Sequence, residues 1–303
     1  MTGSKTYGVG ILGLGVMGRR MAEALQQHPR FRVSAVYDPR TGRDGFEHAE
    51  SPSALVNDPR VDCLYIASPP AHHAAGVALA TQAHKPVLCE KPLAPSLAEA
   101  ESMCAQVEAS GKPGAVNFYL ATAPAAVRMR RLVAAGALGE IREARLTLRF
   151  KAWPRPWQSA AGAWLTSATE GGFTREVGSH FLFQAERMFG RGRCAETQTV
   201  RGPEGSELSV IARIDYANLS LLIDGAIGGE IDESNRFEVI GSKGRAALVD
   251  WDELDYSGSS PLATSPVPDH LDELANLLDG KPCELATFAE SAAVVGLTEA
   301  ILA

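Results

Sequence analysis

The apolar and polar positions of this chain change their period once, near residue 140. Before that point short apolar runs alternate with helical stretches. Tyr7 to Leu12, Phe31 to Tyr37, Val61 to Ala67, Pro86 to Cys89 and Ala115 to Phe118 read as strands. Arg19 to Gln27, Ala71 to Ala83 and Leu97 to Ala109 read as helices between them. Such alternation predicts a parallel sheet covered on both faces. A further helix follows Pro124, runs to about Ala135 and closes at Gly136 or Gly139. Beyond it the strands become consecutive: Glu140 to Lys151, Glu196 to Arg201, Leu208 to Tyr216, Asn218 to Ala226, Arg236 to Ile240 and Ala246 to Trp251. Turn signals such as Pro203-Glu204-Gly205 and Gly241-Ser242-Lys243-Gly244 separate them. Strands with few helices predict an antiparallel sheet. A Pro/Ser-rich stretch, Ser257 to Pro268, leads into two closing helices, His270 to Leu278 and Phe288 to Leu302. The pattern predicts two domains, 1–120 and 121–303, with the closing helix able to pack back on the first.

The first strand runs straight into Gly13-Leu14-Gly15-Val16-Met17-Gly18. Gly13 permits a tight strand-to-helix turn, and Gly15 lets backbone approach a pyrophosphate. Gly18 lets the next helix pack close on the strand, while that helix, opening at Val16 and Met17, aims its positive end at the anion. Asp38 closes the second strand about twenty residues on, where a carboxylate meets an adenosine ribose. Strand, turn, helix, strand and acid together predict an α/β Rossmann domain, followed by an α+β C-terminal domain with a large, mainly antiparallel open sheet. Asp38 favours NAD by accepting both ribose hydroxyls and repelling a 2′-phosphate; Arg40, two residues on, keeps NADP open.

Composition narrows the partners. At 303 residues, 45% hydrophobic and 21% charged, the chain has the make-up of an ordinary two-domain globular protein. A net charge of −7 gives no basic face for nucleic acid or a membrane surface. No apolar run is long enough for a membrane helix, and Met1 to Lys5 lead directly into the first strand without a signal-peptide core. Cys63, Cys89, Cys104, Cys194 and Cys283 are scattered and show no metal or redox spacing. Reduced thiols in a cytoplasm, and no metal, are the expectation.

A second cluster of candidate residues lies at the carboxyl ends of the third and fourth strands, the edge where open α/β sheets hold ligands. Ser68-Pro69-Pro70-Ala71-His72-His73 follows one strand and Glu90-Lys91-Pro92 the other. A lysine between a carboxylate and a proline at this edge is placed for a substrate oxygen and for acid–base work. Asn117, ending the fifth strand, is placed with it as a substrate contact.

These glycines, the Ser68–His73 turn, the Glu90-Lys91-Pro92 triplet and the two-domain plan resemble the Gfo/Idh/MocA oxidoreductases over nearly the whole chain. The resemblance implies NAD(P)-dependent oxidation of a hydroxyl, or the reverse reduction, on sugars and cyclic polyols. It implies a catalytic role for Lys91. Ser68, Pro69, His73, Glu90 and Lys91 fall in its cofactor-contacting segments, with His73 near the nicotinamide end. It also implies a symmetric partner subunit over the C-terminal sheet, in a homodimer or homotetramer. The family's second signature, a glycine pair followed by Asp-x-Gly-x-His, reads here Gly171-Gly172-Phe173-Thr174-Arg175-Glu176-Val177-Gly178-Ser179-His180. Glu176 replaces the expected Asp, and Phe183 stands where a further acid is usual. On a helix, positions four apart share a face, so Glu176 and His180 are expected to meet Lys91 in one pocket. Arg175 then offers a guanidinium to an anionic substrate group.

Trp153-Pro154-Arg155-Pro156-Trp157 completes the candidates. Trp157 stacks on a sugar ring and Arg155 binds an anion in one reading; in the other the loop packs on its own domain or on a neighbouring subunit. The expected activity is hydride transfer, with Lys91, His180 and Glu176 managing the hydroxyl proton. Two rivals stay open, an NAD-assisted glycoside hydrolase and a redox-inactive nucleotide-binding regulator.

Overall fold

The computed structural model describes residues 5–40, 45–258, 266, 267 and 269–303, and gives no side chains for 159–161. Most of the Ser257–Pro268 stretch and all but one of the first five residues therefore lie outside the described residues. The chain forms two compact units, Met1–Phe118 with Asp269–Ala292, and Tyr119–Pro268 with Ala293–Ala303.

The first unit holds five parallel strands: β1 (Tyr7–Leu12), β2 (Phe31–Tyr37), β3 (Cys63–Ile66), β4 (Val87–Cys89) and β5 (Gly114–Val116). They lie in the order β2-β1-β3-β4-β5. Helices α1 (Val16–Gln27), α2 (Pro52–Asn57), α3 (His73–Gln82) and α4 (Leu97–Ser110) connect them. The strands are almost wholly apolar because helices cover both sheet faces. A rudimentary sixth strand adds to the edge: Val36 accepts the amide of Ala49, donates to Glu47 and pairs in parallel with His48. Counting it, the order is that of a dinucleotide-binding sheet, with the reversal between β1 and β3. Local signals fix the helix ends. Ser96 accepts from the Glu99 amide at the start of α4, and Gly111, at φ 64°, ends it.

Residues from the far end of the chain complete this core. Leu271, Leu274, Ala275 and Leu285 pack with Tyr7, Val9, Ile11, Leu25, Tyr65 and Leu88. Helix α7 (His270–Leu278) supplies three of them, and Asp269 caps its start by accepting the Leu271 amide. Asp279 then accepts from the Tyr7 hydroxyl and pairs with Arg30. Helix α7, one of the two expected closing helices, thus belongs to the first unit.

The second unit is built on seven strands in the order β12-β11-β10-β6-β9-β8-β7. They are β6 (Ile141–Phe150), β7 (Arg193–Arg201), β8 (Glu207–Asp215), β9 (Ser220–Ile227), β10 (Glu233–Gly241), β11 (Gly244–Val249) and β12 (Glu253–Gly258). β6 and β9 run parallel, and the other neighbours antiparallel. Strand β12 was not foreseen, since its residues carry little apolar alternation. One face presents Leu146, Leu148, Phe150, Ile214, Leu221, Phe237 and Leu248, all fully buried. Helices α5 (Pro124–Ala134) and α6 (Ser179–Phe189) belong to this unit and pack on each other; α8 (Phe288–Leu302) ends the chain. The opposite face mixes charged pairs, such as Arg236 and Arg245 on Glu238 and Asp255, with exposed Val200, Ile211 and Leu222.

Candidate active site

Each unit carries one cluster of candidate residues. In the first, β1 ends at Leu12 and Gly13 turns the chain at φ 99°. A Cβ there would lie 2.7 Å from the Ala67 and Ser68 backbone, and one on Gly18 would run into the Gly13 carbonyl oxygen. Around Gly15 a Cβ would meet nothing within 4 Å. Gly13 and Gly18 therefore serve the fold, while Gly15 leaves open space beside the start of α1. No side chain among the described residues caps that helix, and no acid occupies its first turn. Its first amides remain available to an anion. Asp38 lies at the end of β2 with its carboxylate buried, accepting from the Leu14 amide at 2.8 Å and the Arg40 amide at 2.8 Å. The exposed Arg40 guanidinium sits 3.6 Å from it. An open glycine, an uncapped helix start and a fixed carboxylate fit a dinucleotide.

The turn after β3 and the loop after β4 are stitched together by His73. Its Nε2 lies 2.8 Å from the Ser68 carbonyl and its Nδ1 3.1 Å from the Leu93 carbonyl. Burial pushes its pKa down, and a neutral ring donates through only one of these nitrogens. His73 is fully buried, so it shapes the Ser68–Pro69 turn rather than presenting its ring. Glu90 is buried too. Its carboxylate accepts from the Tyr65 hydroxyl, from Asn117 Nδ2 at 2.5 Å and from the Lys91 amide at 3.3 Å. Burial raises its pKa, and those donors oppose the rise. Lys91 projects from this clamped backbone, half-buried. Asn117, expected as a substrate contact, has both amide ends engaged within the unit: Nδ2 on Glu90 and Oδ1 on His270 Nε2, at 2.6 Å.

In the second unit the glycine pair runs under buried Glu207. A Cβ on Gly172 would collide with the Glu207 carboxylate, and one on Gly171 with the Leu165 carbonyl. Glu207 also accepts the Thr174 amide at 2.6 Å. Thr174–Gly178 then form a wide π-helical turn that runs into α6, a feature often found at functional sites. Glu176, within the turn, and His180, at the start of α6, are both buried. The His180 ring meets the Trp251 indole edge-on, centroids 5.1 Å apart. Trp251 itself adopts φ 82° after Asp250 at φ 43°, a strained pair for residues with side chains. Its Nε1 donates to Glu233 at 3.0 Å. Glu233 also takes Asn235 and Arg155 Nη1, at 2.7 and 3.1 Å.

Both arginines expected to read a substrate anion have protein partners. Arg175 is buried and donates from Nη1 to the Ala168 and Gly171 carbonyls at 3.0 and 3.2 Å. Burial lowers its pKa, and Glu207 opposes that. Arg155 is buried between Glu233 and Gln158, with its guanidinium 4.7 Å above the Trp157 ring. A guanidinium with five donors, once buried, is satisfied by the carbonyls and carboxylates within reach. Replacing Arg175 with Met is expected to lower the melting temperature, because two buried carbonyls lose a donor, and to leave KM little changed. A raised KM at unchanged stability would return Arg175 to the substrate.

Sequence reasoning missed Tyr65, Glu207, Glu233, Trp251 and His270. Each acts through partners distant along the chain, and no local spacing announces it.

Among the described residues no helix is long and apolar enough to cross a membrane. Residues 7–118 match a model described as an oxidoreductase family with an NAD-binding Rossmann fold, and residues 126–247 match the GFO/IDH/MocA C-terminal domain. An inositol 2-dehydrogenase of Rubrobacter xylanophilus is 36% identical over 161 residues, covering 50% of this chain and 45% of that enzyme. The match thus spans under half the length of that relative. A dTDP-3,4-didehydro-2,6-dideoxy-alpha-D-glucose 3-reductase of Streptomyces violaceoruber is 28% identical over 96% of this chain and 88% of its own. Among solved structures, GenD2 from gentamicin A biosynthesis, in complex with NAD, is 25% identical with a TM-score of 0.81, covering 98% of this chain and 93% of its own. The chain belongs to the Gfo/Idh/MocA oxidoreductase family, and its first unit carries that family's NAD-binding Rossmann fold.

Proposed function

We propose that the protein is a dehydrogenase or reductase that works with NAD on a hydroxyl-bearing or carbonyl carbon of a sugar, polyol or related cyclic alcohol. The observation that carries this reading is the clamped Glu90–Lys91 pair at the carboxyl edge of the glycine-loop sheet. The bound nicotinamide supplies the hydride acceptor or donor. The chain's own residues bind, orient and handle the proton. Amides at the start of α1 hold the pyrophosphate and Asp38 the adenosine ribose. Lys91 Nζ takes the hydroxyl proton in oxidation and returns it in reduction, with His180 as the second proton-handling group and Glu176 orienting it. Trp157 is 43% exposed, and with Arg155 over its ring it offers an aromatic face to a sugar. The sugar-converting relatives support the substrate class.

The same reading places the enzyme in the cytoplasm, where its five free thiols stay reduced. A second copy covers the sheet face that bears Val200, Ile211 and Leu222.

An activity screen over sugars, polyols and carboxylated ring alcohols with NAD and NADP tests the proposal. Reduced cofactor is expected with at least one neutral polyol or sugar and chiefly with NAD. Tight cofactor binding without oxidation or reduction of any class would overturn it. Replacing Asp38 with Ala is expected to weaken NAD and relax discrimination against NADP, since the carboxylate supplies both the ribose contact and the repulsion. A wild-type preference for NADP would show that Arg40 dominates instead.

A further inference from the structure

His270 lies at the start of α7, far along the chain from the glycine loop, yet within the first unit. Its Nε2 stands 2.6 Å from Asn117 Oδ1. Because that oxygen only accepts, the imidazole must donate from Nε2. Asn117 Nδ2 then faces Glu90 Oε1 at 2.5 Å, and Glu90 Oε2 accepts the Lys91 amide at 3.3 Å. The Tyr65 hydroxyl gives Glu90 its remaining donor. Every bond in the series has one sense. An Asn117 amide turned the other way would set oxygen against the Glu90 carboxylate and NH2 against the His270 donor.

We propose that His270 is a positioning residue for Lys91: it fixes the Asn117 amide, Asn117 fixes the Glu90 carboxylate, and Glu90 holds the backbone from which Lys91 projects. The proposal rests on the reading of Lys91 as the proton-handling group. Its own content is the relay, which reaches Lys91 from a helix entering the unit from the end of the chain.

The electrostatics agree with it. Burial pushes the His270 pKa down to about 4, with Asp269 pulling weakly the other way. The ring is therefore neutral at working pH and carries a single proton, which the Asn117 oxygen claims. Glu90 faces the Tyr65 hydroxyl, the Cys89 thiol and the Lys91 ammonium. Donors to its carboxylate favour the charged form, so freeing the Asn117 amide raises the Glu90 pKa further. A protonated Glu90 loses its charge toward Lys91 and weakens its hold on the Lys91 amide. In the reducing direction, where Lys91 starts with its proton, the acid limb of kcat/KM reports Glu90 and moves to higher pH.

The test compares His270→Leu, which removes the donor, with His270→Gln, which keeps an NH donor of similar reach. With the substrate found in the screen, His270→Leu is expected to lose about tenfold to hundredfold in kcat/KM, mainly in kcat, with NAD affinity little changed. Its acid limb is expected about one pH unit higher, and His270→Gln is expected to recover most of both effects. A merely structural histidine would lower the melting temperature without moving the pH profile. Folded His270→Leu with an unmoved acid limb and near-normal kcat/KM overturns the proposal. Should His270→Leu fail to fold, heteronuclear NMR of the wild-type imidazole nitrogens decides it, with His270 assigned by its absence in His270→Gln. A neutral ring protonated on Nε2 down to about pH 5 is expected; a proton on Nδ1, or an ordinary titration, overturns the relay. Lys91→Met separates the two claims. Retained turnover there refutes the role of Lys91, whereas the tautomer still reports on the relay alone.

Discussion

Lys91→Met is expected to lower kcat by about a hundredfold to ten-thousandfold while NAD binds almost as before, because it removes a proton-handling group and leaves the α1 amides and Asp38 to hold the cofactor. Methionine keeps the length and apolar stem of the side chain, so the clamp on the backbone by Glu90 survives. His180→Ala is expected in the same range. If both groups serve one proton, the double variant falls little below the worse single one, since groups acting as a unit are not additive. Pre-steady-state turnover beside cofactor titration separates rate from binding. A Lys91→Met enzyme with near-normal turnover and intact NAD affinity removes Lys91 from the chemistry.

Gly18→Ala and Gly15→Ala are expected to fail in opposite ways. A Cβ on Gly18 meets the Gly13 carbonyl oxygen, which is backbone and cannot swing aside. The helix must move off the turn, and overpacking of this kind costs about 1–3 kcal/mol, with cofactor affinity falling alongside. Around Gly15 there is nothing for a methyl to strike, and its φ of −71° suits any residue. Gly15→Ala should therefore keep its melting temperature and lose cofactor affinity alone, because the methyl occupies the space a pyrophosphate needs. Thermal unfolding with and without NAD reads both. Equal melting temperatures and equal NAD affinities for the two variants would show that the glycines do not divide the work this way.

Local chemistry made the first unit readable from sequence. A glycine turn, an acid closing the next strand and strands buried on both faces follow one another at a fixed short spacing, so Gly13, Gly15, Gly18 and Asp38 stood out. The rudimentary strand at His48 did not, because one bridging residue leaves no periodicity. The glycine-pair signature was readable too, although the turn at Thr174–Gly178 is π-helical rather than the α-helix that the four-residue spacing of Glu176 and His180 assumed. The protein partners of Arg175 and Arg155 were not. Side-chain type announced a charge, and only the fold decided that carbonyls and a carboxylate would take it. His270 lies 153 residues from Asn117, and Glu207 lies 33 from Thr174. Partners so far apart are set by topology, which residue spacing does not encode.

The account stands on hydride moving between substrate and nicotinamide, and transfer of a label tests that most directly. A substrate deuterated at the reacting carbon is turned over with NAD, and the reduced cofactor and product are both weighed by mass spectrometry. The account predicts one deuterium in each molecule of reduced cofactor, formed in step with oxidised product. Unlabelled cofactor that is never reduced while NAD stays bound, or cleavage of a glycoside with no net reduced cofactor, would contradict it.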